Sequence, residues 1–108
     1  FTFDPINKSN HSKNICVFAN GEVDRSPTGT GVSARAAVHF AKNEIKLNET
    51  IKIESIIGST FEVKVIEKIK IGSLNGIIPE VRGTANIIGK NTFWIDPLDN
   101  IGEGFMLR

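Results

Sequence analysis

The run TFEVKVIEKIKI, residues 60–71, constrains this chain more than any other stretch of it. Phe61, Val63, Val65, Ile69 and Ile71 alternate with Glu62, Lys64, Lys68 and Lys70, and only Ile66 and Glu67 break the pattern. A period of two sustained this long sets one face on an apolar core and leaves the other in water, which is a half-buried β-strand. Its lysines are then the wet side of a sheet. Residues 51–57 (IKIESII) alternate similarly, with Ile51, Ile53 and Ile57 opposite Lys52 and Glu54. Gly72–Gly76 reads as a turn, and 77–88 and 91–95 as further strands, with Pro79 marking an edge or a bulge. Upstream, 32–43 (VSARAAVHFAKN) has small residues on most sides, which predicts a helix packed on several faces. A short strand is expected over Asn14–Ala19, ended by a turn at Asn20-Gly21. The polar residues 1–13 form a lead-in segment without periodicity. The expected fold class is α+β: a single domain over 14–108 in which an antiparallel or mixed sheet curls around one central helix.

Composition removes several functional classes. A length of 108 residues supports one core, and 40% hydrophobic content is too apolar for a disordered tail. A net charge of +1 argues against nucleic acid as a partner, since phosphate binding shows as a clustered basic excess. No apolar run approaches the roughly 18 to 20 residues of a membrane span. The single cysteine cannot form an internal disulfide. FTFDPINKSN has no signal-peptide pattern, and the absence of an initiator Met predicts a processed product or a piece of something larger.

Asp24-Arg25-Ser26-Pro27-Thr28-Gly29-Thr30-Gly31 is the stretch that carries chemistry. The glycines beside Thr30 leave backbone amides uncovered at the start of the helix, where the first N–H groups lack intrahelical partners. The helix dipole adds partial positive charge there, and together they suit a carboxylate or phosphate. An ordinary capped helix, with Ser26, Thr28 or Thr30 as N-cap, accounts for the same residues. A phosphate loop fits less well, because the Lys-Ser/Thr pair after the second glycine is missing.

This stretch, continued through Val32-Ser33-Ala34-Arg35, resembles the second active-site motif of the proline racemase family. That family includes hydroxyproline 2-epimerases and trans-3-hydroxy-L-proline dehydratases. The resemblance extends through Glu54-Ser55-Ile56-Ile57-Gly58-Ser59, Ile78-Pro79-Glu80-Val81 with Gly83, Asp96-Pro97 and Glu103-Gly104-Phe105. It covers nearly everything from Asn14 onward. It implies a two-domain enzyme, similar to diaminopimelate epimerase, whose halves each curl a sheet around a helix and hold substrate between the two helix N-termini. This chain corresponds to the C-terminal half, with the N-terminal half as its partner. In racemases each half supplies a cysteine, one thiolate taking the α-proton while the opposite thiol delivers one.

Thr28 stands at the position of the second cysteine, and its hydroxyl has no accessible ionisation. The resemblance therefore implies a cofactor-independent trans-3-hydroxy-L-proline dehydratase, which needs one base only and yields Δ1-pyrroline-2-carboxylate. A racemase or epimerase homologue is the alternative within the family; a non-catalytic domain binding a small carboxylate or a protein is the alternative outside it. By the same resemblance, Gly29 and Thr30 bind the substrate carboxylate through backbone N–H groups, and Thr28 contacts the substrate or its departing hydroxyl. Asp24 accepts a hydrogen bond from the ring nitrogen, against the plainer roles of helix-terminal carboxylate or partner of Arg25. Phe18 walls the proline ring, against core packing. No metal or cofactor is implied; a cytoplasmic location, no membrane and a possible homodimer complete the expectation. Cys16 reads as a buried structural thiol, His39 as packing or surface, and His11 as part of the lead-in segment. Asp96, Asp99 and Glu103 read as a solvated loop, without the ligand density of a calcium site.

Overall fold

A two-residue strand from the lead-in segment starts the sheet. The structure, a computed structural model, describes residues 1–107. Among them are β1 (Ser12–Lys13), α1 (Gly29–Ala41), β2 (Ile51–Glu54), β3 (Thr60–Ile71) and β4 (Leu74–Arg82). The strands lie in the order β1-β2-β3-β4, with β1 parallel to β2 and the other pairings antiparallel. The sheet is therefore mixed. The helix packs against β3 and β4. Between helix and sheet lie Val32, Ala36, Ile45, Ile51, Ile53, Val63 and Val65, with Phe40, Phe61 and Ile77 at the margin.

The long alternating run forms β3 with the expected bounds, and its two pattern breakers have a structural counterpart. Val65 pairs with Pro79 and Glu67 with Ile78, so Ile66 is the extra residue of a β-bulge. Pro79 lies on the edge strand opposite that bulge, where its missing N–H is tolerated. Gly72, at φ 60°, takes the first position of a two-residue hairpin loop, where a left-handed φ suits the twist of the flanking strands. The turn is thus shorter than Gly72–Gly76, and β4 resumes at Leu74. The helix begins at Gly29 rather than at Val32 and ends at Ala41. Asn43 closes it at φ 59°, its N–H donating to Phe40 O at 3.0 Å and that of Glu44 to His39 O at 2.9 Å. This is a Schellman motif with asparagine in glycine's place.

Four expected strands are shorter or absent. Of Asn14–Ala19 only an isolated bridge between Val17 and Val23 remains. The 51–57 strand stops at Glu54, and Ile57 is exposed. Beyond Arg82 the described residues form no regular strand, so 83–88 and 91–95 are irregular and exposed. This arm leaves Ile87, Phe93 and Trp94 uncovered, and the radius of gyration is 18.7 Å, against about 13 Å for a compact chain of this size. No helix among the described residues is long and apolar enough to cross a membrane.

The lead-in segment is not loose. Glu54, 2% exposed, accepts hydrogen bonds from Ile6 N–H (2.7 Å), Asn7 N–H (2.8 Å) and Asn10 Nδ2 (2.7 Å). Burial pushes its carboxyl up, but these three donors outweigh burial and hold it below its ordinary value. A depressed folded pKa contributes stability that is present above the ordinary value and lost as the pH falls through the folded one. Glu54→Gln turns an amide N–H₂ toward one of the three donors and is expected to cost about 1–3 kcal/mol at neutral pH. Urea unfolding measures it; the variant's deficit should shrink as the pH falls below the ordinary carboxyl range toward the depressed folded value.

On the helix, His39 is buried, not surface, with Nδ1 at 2.5 Å from Glu44 Oε2 and Nε2 at 3.2 Å from Arg35 Nη2. Arg35 also donates to Ser12 Oγ at 2.6 Å and lies under the Phe1 ring, 4.1 Å from its centroid.

Candidate active site

The segment 14–31 folds back on itself before it enters the helix. Asp24 N–H donates to Cys16 O (3.0 Å) and Phe18 N–H to Glu22 O (2.8 Å), on either side of the Val17–Val23 bridge. Gly21, at φ 88°, makes the reversal that Asn20-Gly21 predicts. This small hairpin carries Phe18 on one limb and Asp24 on the other. Phe18 is 54% exposed and lies outside the core of the described residues. Cys16 is a free, half-buried thiol, less enclosed than expected.

From Asp24 to Thr28 the chain is held by alternate side chains. Asp24 Oδ1 accepts from Ser26 N–H at 2.7 Å, and Ser26 Oγ accepts from Thr28 N–H at 3.1 Å. The Ser26 N–H, followed by the Ser26 hydroxyl, holds the Asp24 carboxyl below its ordinary range, with a smaller contribution from the Arg25 charge. Asp24 is therefore an anion at neutral pH, and it is bonded to the loop rather than paired with Arg25. Ser59, in the β2–β3 connection, donates from Oγ to Arg25 O at 2.6 Å and shares a hydrogen bond with Ser55 Oγ at 2.7 Å. Asn14 donates from Nδ2 to Pro27 O (2.7 Å) and to Thr28 Oγ1 (3.2 Å). Neither Asn14 nor Ser59 stands out in the sequence as a site residue. Their part depends on a fold that brings distant segments onto one loop.

Thr28 occupies the N-cap position at φ 62°, ψ 123°, a backbone conformation costly for a β-branched residue, and its hydroxyl makes no cap hydrogen bond. Val32 N–H donates to Thr28 O at 3.0 Å and closes the first turn. The amides of Gly29, Thr30 and Gly31 receive no acceptor from the described residues. Gly29 and Thr30 are exposed. Uncommitted donors and the positive end of a 13-residue helix thus coincide. A cleft of about 370 Å³ lies beside the loop, lined by Arg25, Ser26, Ser59 and Phe61 among others, but Thr28, Gly29 and Thr30 are not on its wall. The helix start is open to solvent. Asp24, Thr28, Gly29 and Thr30 are parts of one bonded segment, and Phe18 lies on the opposite limb of the hairpin that precedes it.

Asp96 and Asp99 lie far along the exposed arm and turn on themselves, accepting from Leu98 N–H and Ile101 N–H. Among the described residues no group of three or more His, Cys, Asp or Glu side chains is placed to hold a metal ion.

The chain has counterparts among known proteins. The family model described as proline racemase matches residues 1–106. A trans-3-hydroxy-L-proline dehydratase of Colwellia psychrerythraea is 50% identical over 108 residues, which are 100% of this chain and 30% of that protein. A proline racemase of Clostridioides difficile is 40% identical over 105 residues, 97% of this chain and 31% of that one. The crystal structure of a hydroxyproline epimerase from Agrobacterium vitis, with bound trans-4-hydroxy-L-proline, superposes with a TM-score of 0.73 at 30% identity, covering 96% of this chain and 30% of that one. This chain spans about 30% of the length of each. With its helix-capping segment, its mixed sheet and a family match over 1–106, the chain belongs to the proline racemase family.

Proposed function

We propose that this chain is the C-terminal part of a cofactor-independent trans-3-hydroxy-L-proline dehydratase. Thr28 carries the reading: a hydroxyl that does not ionise stands at the helix head where two-base racemisation needs a thiol. The dehydratase of Colwellia psychrerythraea, 50% identical over the whole chain, supports it. In this reading a base outside these 108 residues removes the C2 proton, the C2=C3 bond forms, and the C3 hydroxyl leaves with a proton as water. The enamine then tautomerises to Δ1-pyrroline-2-carboxylate. Gly29 and Thr30 N–H groups hold the carboxylate, the Asp24 anion accepts from the ring ammonium, and Phe18 shields the ring. Thr28 faces the departing hydroxyl.

The full-length protein, given trans-3-hydroxy-L-proline and followed by proton NMR, is expected to consume it and release water without change of configuration in a parallel sample of L-proline. The 108 residues alone should show no turnover. Racemisation of L-proline, or epimerisation of a hydroxyproline, at a rate matching dehydration overturns the assignment in favour of an isomerase, the activity that the names of the Clostridioides difficile and Agrobacterium vitis relatives carry.

A further inference from the structure

We infer that Asn14 is a positioning residue that sets the direction of the Thr28 hydroxyl, so that the hydroxyl donates its proton to the ligand; this rests on the role proposed above for Thr28. Asn14 is 8% exposed and anchored by its own N–H to Glu54 O at 2.8 Å, at the end of β2. Its side chain bridges two neighbours through one nitrogen, at 2.7 Å from Pro27 O and 3.2 Å from Thr28 Oγ1. The Pro27 carbonyl oxygen accepts and never donates, so it identifies which end of the carboxamide is the N–H₂. Thr28 Oγ1 must then accept from Asn14. With that lone pair occupied by a donor, the hydroxyl proton is directed elsewhere.

Elsewhere is not the helix. A threonine at an N-cap ordinarily turns its oxygen onto the N–H groups of the first turn. Here φ 62° swings the side chain to Asn14 instead, and no cap hydrogen bond forms. Gly31 seals the arrangement: a Cβ there would lie 2.4 Å from Thr28 Oγ1 and 2.7 Å from Asn14 Nδ2, so the pair fills the space a side chain would need. The consequence is a hydroxyl donor beside free amides, the polarity required to assist a leaving hydroxyl.

A double-mutant cycle in the full-length enzyme, assayed on trans-3-hydroxy-L-proline, tests this. Thr28→Val should lower kcat by about 10²-fold. Asn14→Ala in the native background should lower kcat by about 10-fold or more with KM within about twofold. In the Thr28→Val background the same Asn14→Ala change should alter kcat by less than about twofold, because the hydroxyl it directs is gone. Asn14→Leu, which keeps the side chain's bulk and removes its donor, is carried through the same cycle and gives the answer if the alanine variant does not fold. Equal losses in both backgrounds overturn the proposal while leaving the Thr28 role intact. A Thr28→Val enzyme with native kcat overturns the Thr28 role, and this proposal with it.

Discussion

Thr28→Cys in the full-length protein is expected to create α-proton exchange on the enantiomer of proline that the native enzyme leaves untouched. With a single base, only the α-proton that faces that base is removed. On the proposed reading, a thiol at residue 28 would face the substrate opposite the first base and supply the second acid and base. Free cysteine titrates near 8.5, and a helix N-terminus lowers that value toward neutrality. The Asn14 Nδ2 donor that now serves Thr28 Oγ1 would stabilise the thiolate as well, adding to the same shift. General acid–base participation contributes about 10²–10⁴-fold, so exchange on the second enantiomer should rise at least about 10²-fold above the native protein. Proton NMR of L- and D-proline in heavy water, run separately, reads it directly. A folded variant that still exchanges one enantiomer alone means that the hydroxyl-for-thiol change does not govern the choice between elimination and isomerisation.

Gly31→Ala is expected to abolish most of the turnover while leaving the helix formed. Two effects oppose each other here. Alanine is favoured over glycine within a helix by about 1 kcal/mol, and Gly31 has no left-handed φ that would penalise it. Against this, the new Cβ would sit 2.4 Å from Thr28 Oγ1 and 2.7 Å from Asn14 Nδ2. Both side chains are short, and Asn14 is pinned to Pro27 O, so relief comes from displacing Thr28 itself. Reaching ordinary contact needs a shift of roughly 1 Å, and a misplacement of that size at reacting groups costs about 10²-fold. Circular dichroism should show native helix content while kcat on trans-3-hydroxy-L-proline falls by about that factor. Native turnover in a folded Gly31→Ala protein would show that the Thr28 hydroxyl does not need its present place.

How far the sequence could be read depended on whether each element carries its own pattern. β3 does: its alternation is local, and even the bulge leaves a trace in Ile66 and Glu67. The helix does as well, although the glycines obscure its first turn, and α1 starts three residues before the expected Val32. Asn14–Ala19 and 91–95 carry β-branched and aromatic residues, yet strand propensity is realised only against a partner. Ile15, Val17 and Phe18 remain exposed on a hairpin with one bridge, and Phe93 and Trp94 have none. β1 was illegible for the converse reason: Ser12-Lys13 is too short and polar to signal a strand and exists because β2 pairs with it. In the candidate site, Asp24, Thr28, Gly29 and Thr30 are consecutive enough to be seen as a motif. Asn14 and Ser59 reach the same loop from 13 and 34 residues away, by side-chain hydrogen bonds that no local pattern announces.

The exposed arm beyond Arg82 also makes the molecule an optical instrument. The chain has one tryptophan and no tyrosine, and Trp94 lies on that arm with 93% of its surface in water. Near-ultraviolet emission therefore comes from one indole, placed outside the core. Its colour and its quenching by small solutes follow whatever covers the arm. Unfolding of the sheet and covering of the arm thus have separate signatures, the first in backbone dichroism and the second in a single fluorophore that nature has already installed.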